Sequence, residues 1–287
     1  VSVAIVTDST AYLPAELVRE GSVPITVVPL HVVVGGRQHR EGVDVTIESL
    51  SEALQSFTPL STSRPSPQEF LDAYEDAAAA GASAVVSIHI SSEMSGTCQS
   101  ARIAAEQSPI PVEVVDSRSL GMAMGFGVLS AATAAGEGQP AAQVAEVARV
   151  RAAGAKVAFY VDTLEYLRRG GRIGSASALL GSAFAIKPIL TLVDGAIRPL
   201  EKVRTSSRAL ARLADLTAAA ASEMALAGGV DIAVQHLDSA SRAESLASTL
   251  RERVPQAGHV VVAELGAVVG THVGPGTLAA VASPRPR

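Results

Sequence analysis

Tryptophan is absent from this chain of 287 residues, phenylalanine occurs only five times, and there is a single cysteine, Cys98. One cysteine excludes an internal disulfide framework and suits a reducing cytoplasm, which is the expected location. With so few aromatics, the 48% of residues that are hydrophobic are mostly Ala, Val and Leu, so core side chains are small on average. A net charge of −5 implies no broad cationic surface and argues against nucleic acid as a partner. There is no Walker A sequence, no G-x-G-x-x-G after the first strand and no H-E-x-x-H, and the six histidines lack metal-ligand spacing. Neither a metal nor a cofactor is therefore expected. The opening "VSVAIVTDST" has neither the basic start nor the apolar h-region of a signal peptide. The nearest thing to a membrane segment, Ser119 to Gly136, is uncharged but diluted by Gly, Ser and Thr, which predicts a close-packed buried helix.

What is present has a rhythm. A strand-like run ending in Asp followed by Ser or Thr recurs at 3–10, 112–119, 158–165 and 232–241, each time before a stretch of helical composition. Asp, Ser and Thr accept from the free N–H groups of a first helical turn, so Asp8, Asp116, Asp162 and Asp238 read mainly as caps. Repeated βα units predict a largely parallel sheet with flanking helices. Residues 81–90 read as a buried strand and 99–107 as the helix after it. In 187–204, two β-rich runs flank Asp194-Gly195, a strong two-residue hairpin signal. An antiparallel pair there breaks the βα rhythm. The chain is accordingly expected to be an α/β protein of two domains: 1–155, with the parallel sheet, and 156–283, with a mixed sheet, before a short tail.

Several stretches place polar groups where the chain turns. In "LSTSRPSPQEF" (60–70), Pro65 and Pro67 hold their predecessors extended, and Ser66 or Ser63 is positioned to cap a helix starting near Pro67. In "ISSEMSGTCQSA" (90–101), Gly96 permits close backbone approach, and Ser95, Thr97 and the first amides of the next helix read equally as an N-cap or an anion site. "DTLEYLRRGGRIG" (162–174) reads as a capped helix ended by Gly170 and Gly171, with Arg168, Arg169 and Arg172 crowding its end. Those guanidinium groups complement the helix dipole or address a phosphate or an acidic partner. "GTHVGPG" (270–276) puts His272 in a glycine-rich loop, where a ring N–H can be donated to an oxygen.

Taken in order, "TDST", "TSRPS", "SSEMSGTCQSA", "DSRSLGMAMG", "VDTLEYLRRGGRIG", "IKPIL" and "GTHVGPG", from Thr7 to Gly276, resemble the DegV family. The resemblance implies a two-domain α/β protein that encloses one long-chain fatty acid. It further implies the non-catalytic binding subunit of a bacterial fatty acid kinase system, which presents the acyl carboxylate to a separate ATP-dependent kinase subunit in phospholipid metabolism, with transient contact to a membrane surface. By the same resemblance, Thr62, Ser95 and His272 match the carboxylate-binding residues, with Ser63, Gly96 and Thr97 beside them. Arg172 and Arg204 match arginines facing phosphate or the kinase subunit. Two positions depart from the pattern: Arg64 stands where Gln is usual, and Cys98 where an aromatic is, which leaves a roomier wall beside Ser95. The stretch 176–190 is a candidate tunnel lining. The imidazole of His272 is expected to donate directly to the carboxylate and to become protonated when the anion is bound.

Two other readings stand beside this one. A hydrolase would use Ser95 as nucleophile, His272 as base and Asp8 as orienting acid, although "EMSGT" is not a G-x-S-x-G elbow. A lipid sensor or chaperone would bind the same ligand without a kinase partner.

Overall fold

The computed structural model describes residues 2–20, 23–45, 60–179 and 187–286. Its first sheet is parallel throughout, in the order β2-β1-β6-β7, from β1 (Val3–Asp8), β2 (Ile25–Val28), β6 (Ala84–His89) and β7 (Val112–Asp116). Helices α4 (Gly121–Gly136) and α5 (Ala141–Gly154) cover one face, and α2 (Pro67–Ala79) and α3 (Thr97–Ala105) the other. A strand covered on both faces has no polar side to show, and all six residues of β6 are buried.

The second sheet is mixed. Its six strands run β10-β9-β8-β13-β11-β12, from β8 (Lys156–Tyr160), β9 (Lys187–Val193), β10 (Ala196–Val203), β11 (Val230–His236), β12 (Val260–Glu264) and β13 (Leu278–Pro284). Only β11 and β12 are parallel. Helices α7 (Ser206–Ala227) and α8 (Ala240–Arg253) pack on one face, where Val230, Ile232 and Val234 point. The opposite face, with Ala233, Val157 and Val281, turns toward α4. The mixed α/β architecture is the one expected from the sequence.

Local signals worked where they were local. Asp194 and Gly195 both have positive φ, 53° and 80°, as a two-residue hairpin turn needs. Ser66 and Glu69 form a reciprocal capping box around Pro67. The 121–136 run is a helix packed so closely that a Cβ on Gly127 would sit 3.0 Å from the Ala148 carbonyl oxygen. The capping reading of the four aspartates needs correction. Asp8 does accept from Thr10 N, and Asp116 from Arg118 N, but Asp162 takes the Tyr160 hydroxyl instead, and the helix after Asp238 has no side-chain cap. Nor does 158–165 open a βα unit of a parallel sheet, since β8 is antiparallel to both neighbours.

A third, antiparallel sheet, β4-β3-β5, is not part of the expectation above. It comprises β3 (His31–Val34), β4 (Arg37–Arg40) and β5 (Leu60–Ser63). It matters because it turns "LSTS" from a bend into a strand, with Thr62 opposite Val32.

Candidate functional site

Between the free face of the six-stranded sheet and the segments around β5, β6 and the start of α4 lies a cavity enclosing about 950 Å³, its open end included. Strand residues Val157, Phe159, Leu192, Ala279 and Val281 form its floor. Leu30, Ile90, Met94, Leu120 and the short helices α6 (Glu165–Arg169) and α9 (Ala267–Val273) complete the apolar wall. Small and branched side chains leave this space because no large aromatic apart from Phe159 reaches into it.

Eight polar residues interrupt that wall: Thr62, Ser63, Arg64, Ser95, Arg172 and His272, with Gln235 and Thr277 besides. The first six come from four separate parts of the chain; one hydrogen bond joins two of them, and others fix the rest to neighbouring groups. Thr62 Oγ1 lies 2.8 Å from His272 Nε2. Arg64 Nη1 donates to the Gly96 carbonyl at 3.3 Å, and Arg172 Nε to the Met94 carbonyl at 3.1 Å, so two guanidinium groups bracket Ser95. Ser95 Oγ is 2.8 Å from Thr97 Oγ1.

Each residue is held by its own element. Gly171, at φ +69°, ends α6 in a Schellman turn whose bonds run from Arg172 N to Leu167 O and from Gly171 N to Arg168 O. That turn sends Arg172 back toward the cavity, where Nη1 donates to the Gly170 carbonyl at 2.7 Å. His272 belongs to the last turn of α9, not to a loop; the glycine-rich stretch begins inside the helix and leaves it at Gly274, φ +75°. The Glu41 carboxylate anchors the start of α9 by accepting from Val268 N at 2.7 Å, and it also takes the Tyr12 and Ser9 hydroxyls. Burial pushes the Glu41 carboxyl above its ordinary range, against the lowering effect of those donors.

The state of His272 follows from its surroundings. Burial first, and the nearby Arg172 charge second, lower its pKa to about 4, so the ring is neutral at pH 7. Its Nδ1 is buried with no hydrogen-bond partner among the described residues, packed so tightly that a Cβ on Gly170 would lie 2.0 Å away. A bare lone pair is better tolerated there than an orphaned N–H, which assigns the single proton to Nε2. Nε2–H then donates to Thr62 Oγ1, and the Thr62 hydroxyl keeps its own proton for something else. In this structure the imidazole is thus engaged by Thr62.

Other sequence-stretch expectations also shift. Gly96 and Thr97 do not line the cavity; the Arg64 guanidinium covers Gly96, and Thr97 is fully buried behind Ser95. Arg204 is exposed and outside the cavity. Cys98 is wholly buried, donating to the Ile90 carbonyl at 3.5 Å, with its thiol pushed up to about 12 by burial, so it does not widen the cavity wall. Of the 176–190 stretch, residues 180–186 lie outside the described residues, and none of the others lines the cavity: Ala176, Ile189 and Leu190 are core, while Ser177 and Ala178 are exposed. The hydrolase constellation is not assembled. Asp8 bonds His89, Ser95 bonds Thr97 and His272 bonds Thr62. Gln235, which also lines the cavity, carries no motif; a lone amide inside the apolar strand "VDIAVQH" was the only signal for it. No helix among the described residues is long and apolar enough to cross a membrane.

Comparison with known proteins agrees with this architecture. The sequence pattern of the DegV family, described as uncharacterised proteins, matches residues 2–285. A DegV domain-containing protein of Streptomyces coelicolor is 50% identical over 283 residues, 99% of each chain. One from Mycobacterium bovis is 35% identical over 278 residues, covering 96% of this chain and 95% of that one. Among solved structures, a DegV family protein from Thermus thermophilus, described as fatty acid binding, superposes with a TM-score of 0.90 at 33% identity, over 99% of this chain and 100% of its own. DegV of Bacillus subtilis, described as a fatty acid binding protein, gives 0.87 at 32% identity over 99% of both chains. Likeness that runs the full length of sequence and fold together leaves one conclusion: the chain belongs to the DegV family.

Proposed function

We propose that this protein binds one long-chain fatty acid in the cavity and presents its carboxylate to a separate, ATP-dependent kinase subunit in the cytoplasm. The observation that carries the reading is the wall itself: apolar over most of its surface, with the hydroxyls of Thr62 and Ser95 gathered between two arginines. A carboxylate leaving water needs charge-assisted donors. In this reading Thr62 donates its free proton, its oxygen being occupied by His272 Nε2–H, and Ser95 donates when Thr97 supplies the proton of their shared bond. Ser63 lies alongside, Thr97 and Gly96 support the site from behind, and Arg64 and Arg172 supply positive charge. Burial of the tail contributes about 0.8 kcal/mol per methylene, or on the order of 10 kcal/mol gross for a long chain before ordering costs.

The protein itself carries out no reaction in this scheme. Residues 1–155 and 156–283 act as two domains with the ligand at their junction, and exposed Arg204 is suited to the partner's surface. That solved relatives are described as fatty acid binding supports the ligand class. Native mass spectrometry of the purified protein tests it: a retained species with the mass of a fatty acid is expected. Failure to retain or take up any fatty acid would overturn the reading, and absence of acyl phosphate with ATP and every candidate kinase subunit would leave a sensor or chaperone.

A further inference from the structure

One polar group in the cavity has no place in the carboxylate site. Gln235 is the next-to-last residue of β11, opposite Ala279 of β13 and Ala263 of β12, and is only 3% exposed. It shares its side of the strand with Ala233 and faces the cavity beside Gly121 and Ala279. No hydrogen bond connects it to Thr62, Ser95, Arg172 or His272.

Its amide orientation is determined. Met122 N, in the first turn of α4, donates to Gln235 Oε1 at 2.9 Å, and an amide NH2 cannot accept there. Gly121, at φ +59°, leaves the room, since a Cβ on it would stand 2.4 Å from that oxygen. Half of the side chain is thereby explained as a cap delivered to α4 from a distant strand. The other half is not: Nε2 is buried with no partner among the described residues. Buried side-chain donors are nearly always satisfied, and the surrounding lining of Leu120, Val157, Phe159 and Val281 offers no acceptor.

We infer that Gln235 Nε2 is a specificity-determining donor, selecting a fatty acid that carries an oxygen, as a keto or hydroxyl group, partway along its chain. This rests on the fatty-acid reading above and adds the class of acid. With its carboxylate at the hydroxyl cluster, an acyl chain runs over the strand floor past Gln235. A plain hydrocarbon brings no acceptor to that point and leaves the amide desolvated and unpaired, whereas an in-chain oxygen pairs with it.

The test compares one saturated long-chain acid with a positional series of its keto and hydroxy derivatives, by calorimetry on delipidated protein. One chain position is expected to bind about tenfold more tightly than the parent acid, the size of one satisfied buried donor. Gln235→Leu should abolish that preference while still binding the parent. Because the leucine variant also strips the acceptor from Met122 N and can unfold, the wild-type series stands as a test by itself. A wild-type series in which no derivative exceeds the parent overturns the inference, as does a preference that survives in Gln235→Leu. If neither parent nor derivative binds, the fatty-acid reading itself fails.

Discussion

Two histidines, His89 buried at the end of β6 and His272 half-buried at the end of α9, differ in how fully their polar surroundings are used. Around His89 every polar atom is used. Tyr74 donates to Ser87 at 2.9 Å, Ser87 Oγ lies 2.6 Å from His89 Nε2, and His89 Nδ1 lies 3.1 Å from Asp8 Oδ2. The Asp8 carboxylate also accepts from Thr10 N, Thr10 Oγ1 and Ile90 N. Asp, His and Ser are thus in line as in a hydrolytic triad, yet all three are 0% exposed and the serine does not line the cavity described above. Around His272 one ring nitrogen is left over, and the hydroxyl it supports faces open space. A fully satisfied network stabilises and orders the fold. An incompletely satisfied one beside a cavity is where a ligand has something to gain.

The sharpest way to break this contrast is to attack the closed network. Asp8→Ala leaves Ile90 N, Thr10 and His89 without their acceptor in the core. It should lose about 3–5 kcal/mol of stability in urea unfolding. A loss under 1 kcal/mol would mean that the network is dispensable and that the contrast has been misread. At the open network the effect should fall on the ligand instead. Thr62→Val and Ser95→Ala are each expected to weaken fatty-acid affinity roughly 10- to 100-fold, the value of a hydrogen bond to a charged group. Their unfolding midpoints should stay near that of the wild type. Unchanged affinity in both would remove these hydroxyls from the site.

The smallest effect concerns protons. His272 binds a proton below about pH 4 in the folded protein but already near 6.5 when unfolded, so between those values the unfolded state holds more protons. The stability contributed by the neutral ring is complete above pH 6.5 and is lost as pH falls toward 4, by about 2 kcal/mol between pH 6.5 and 5. His272→Gln should flatten the midpoint-against-pH curve over that window. From pH 6.5 to 8 the ring stays neutral, and fatty-acid affinity should not change with pH. A steady weakening across that range would instead indicate a protonated imidazole acting on the carboxylate.

How far the chain could be read without its fold depended on the distance between interacting parts. The hairpin at Asp194-Gly195 and the Ser66–Glu69 box are written within a few residues, and both formed as read. The antiparallel strand carrying Thr62 leaves no local signal, because its partner, Val32, is far away in sequence. Gly96 suggests room for a ligand, but Arg64 occupies that room. Asp162 has the sequence signature of a helix cap, but it accepts from a tyrosine hydroxyl two residues back. The family resemblance named Thr62, Ser95, Arg172 and His272, and it had no means of saying that Gln235 would project a donor among them.

Composition and periodicity by themselves determined that this would be an α/β protein with small core side chains, parallel strands first and an antiparallel break near residue 194, because those depend on which residues are apolar and on φ/ψ preferences felt locally. Which polar groups end satisfied and which end spare was decided only in three dimensions. The bond between Thr62 and His272 joins residues 210 positions apart, and that between Gln235 and Met122 joins residues 113 apart. Such pairings exist only after the sheets have packed, when desolvation makes every buried donor and acceptor either find a partner or wait for one.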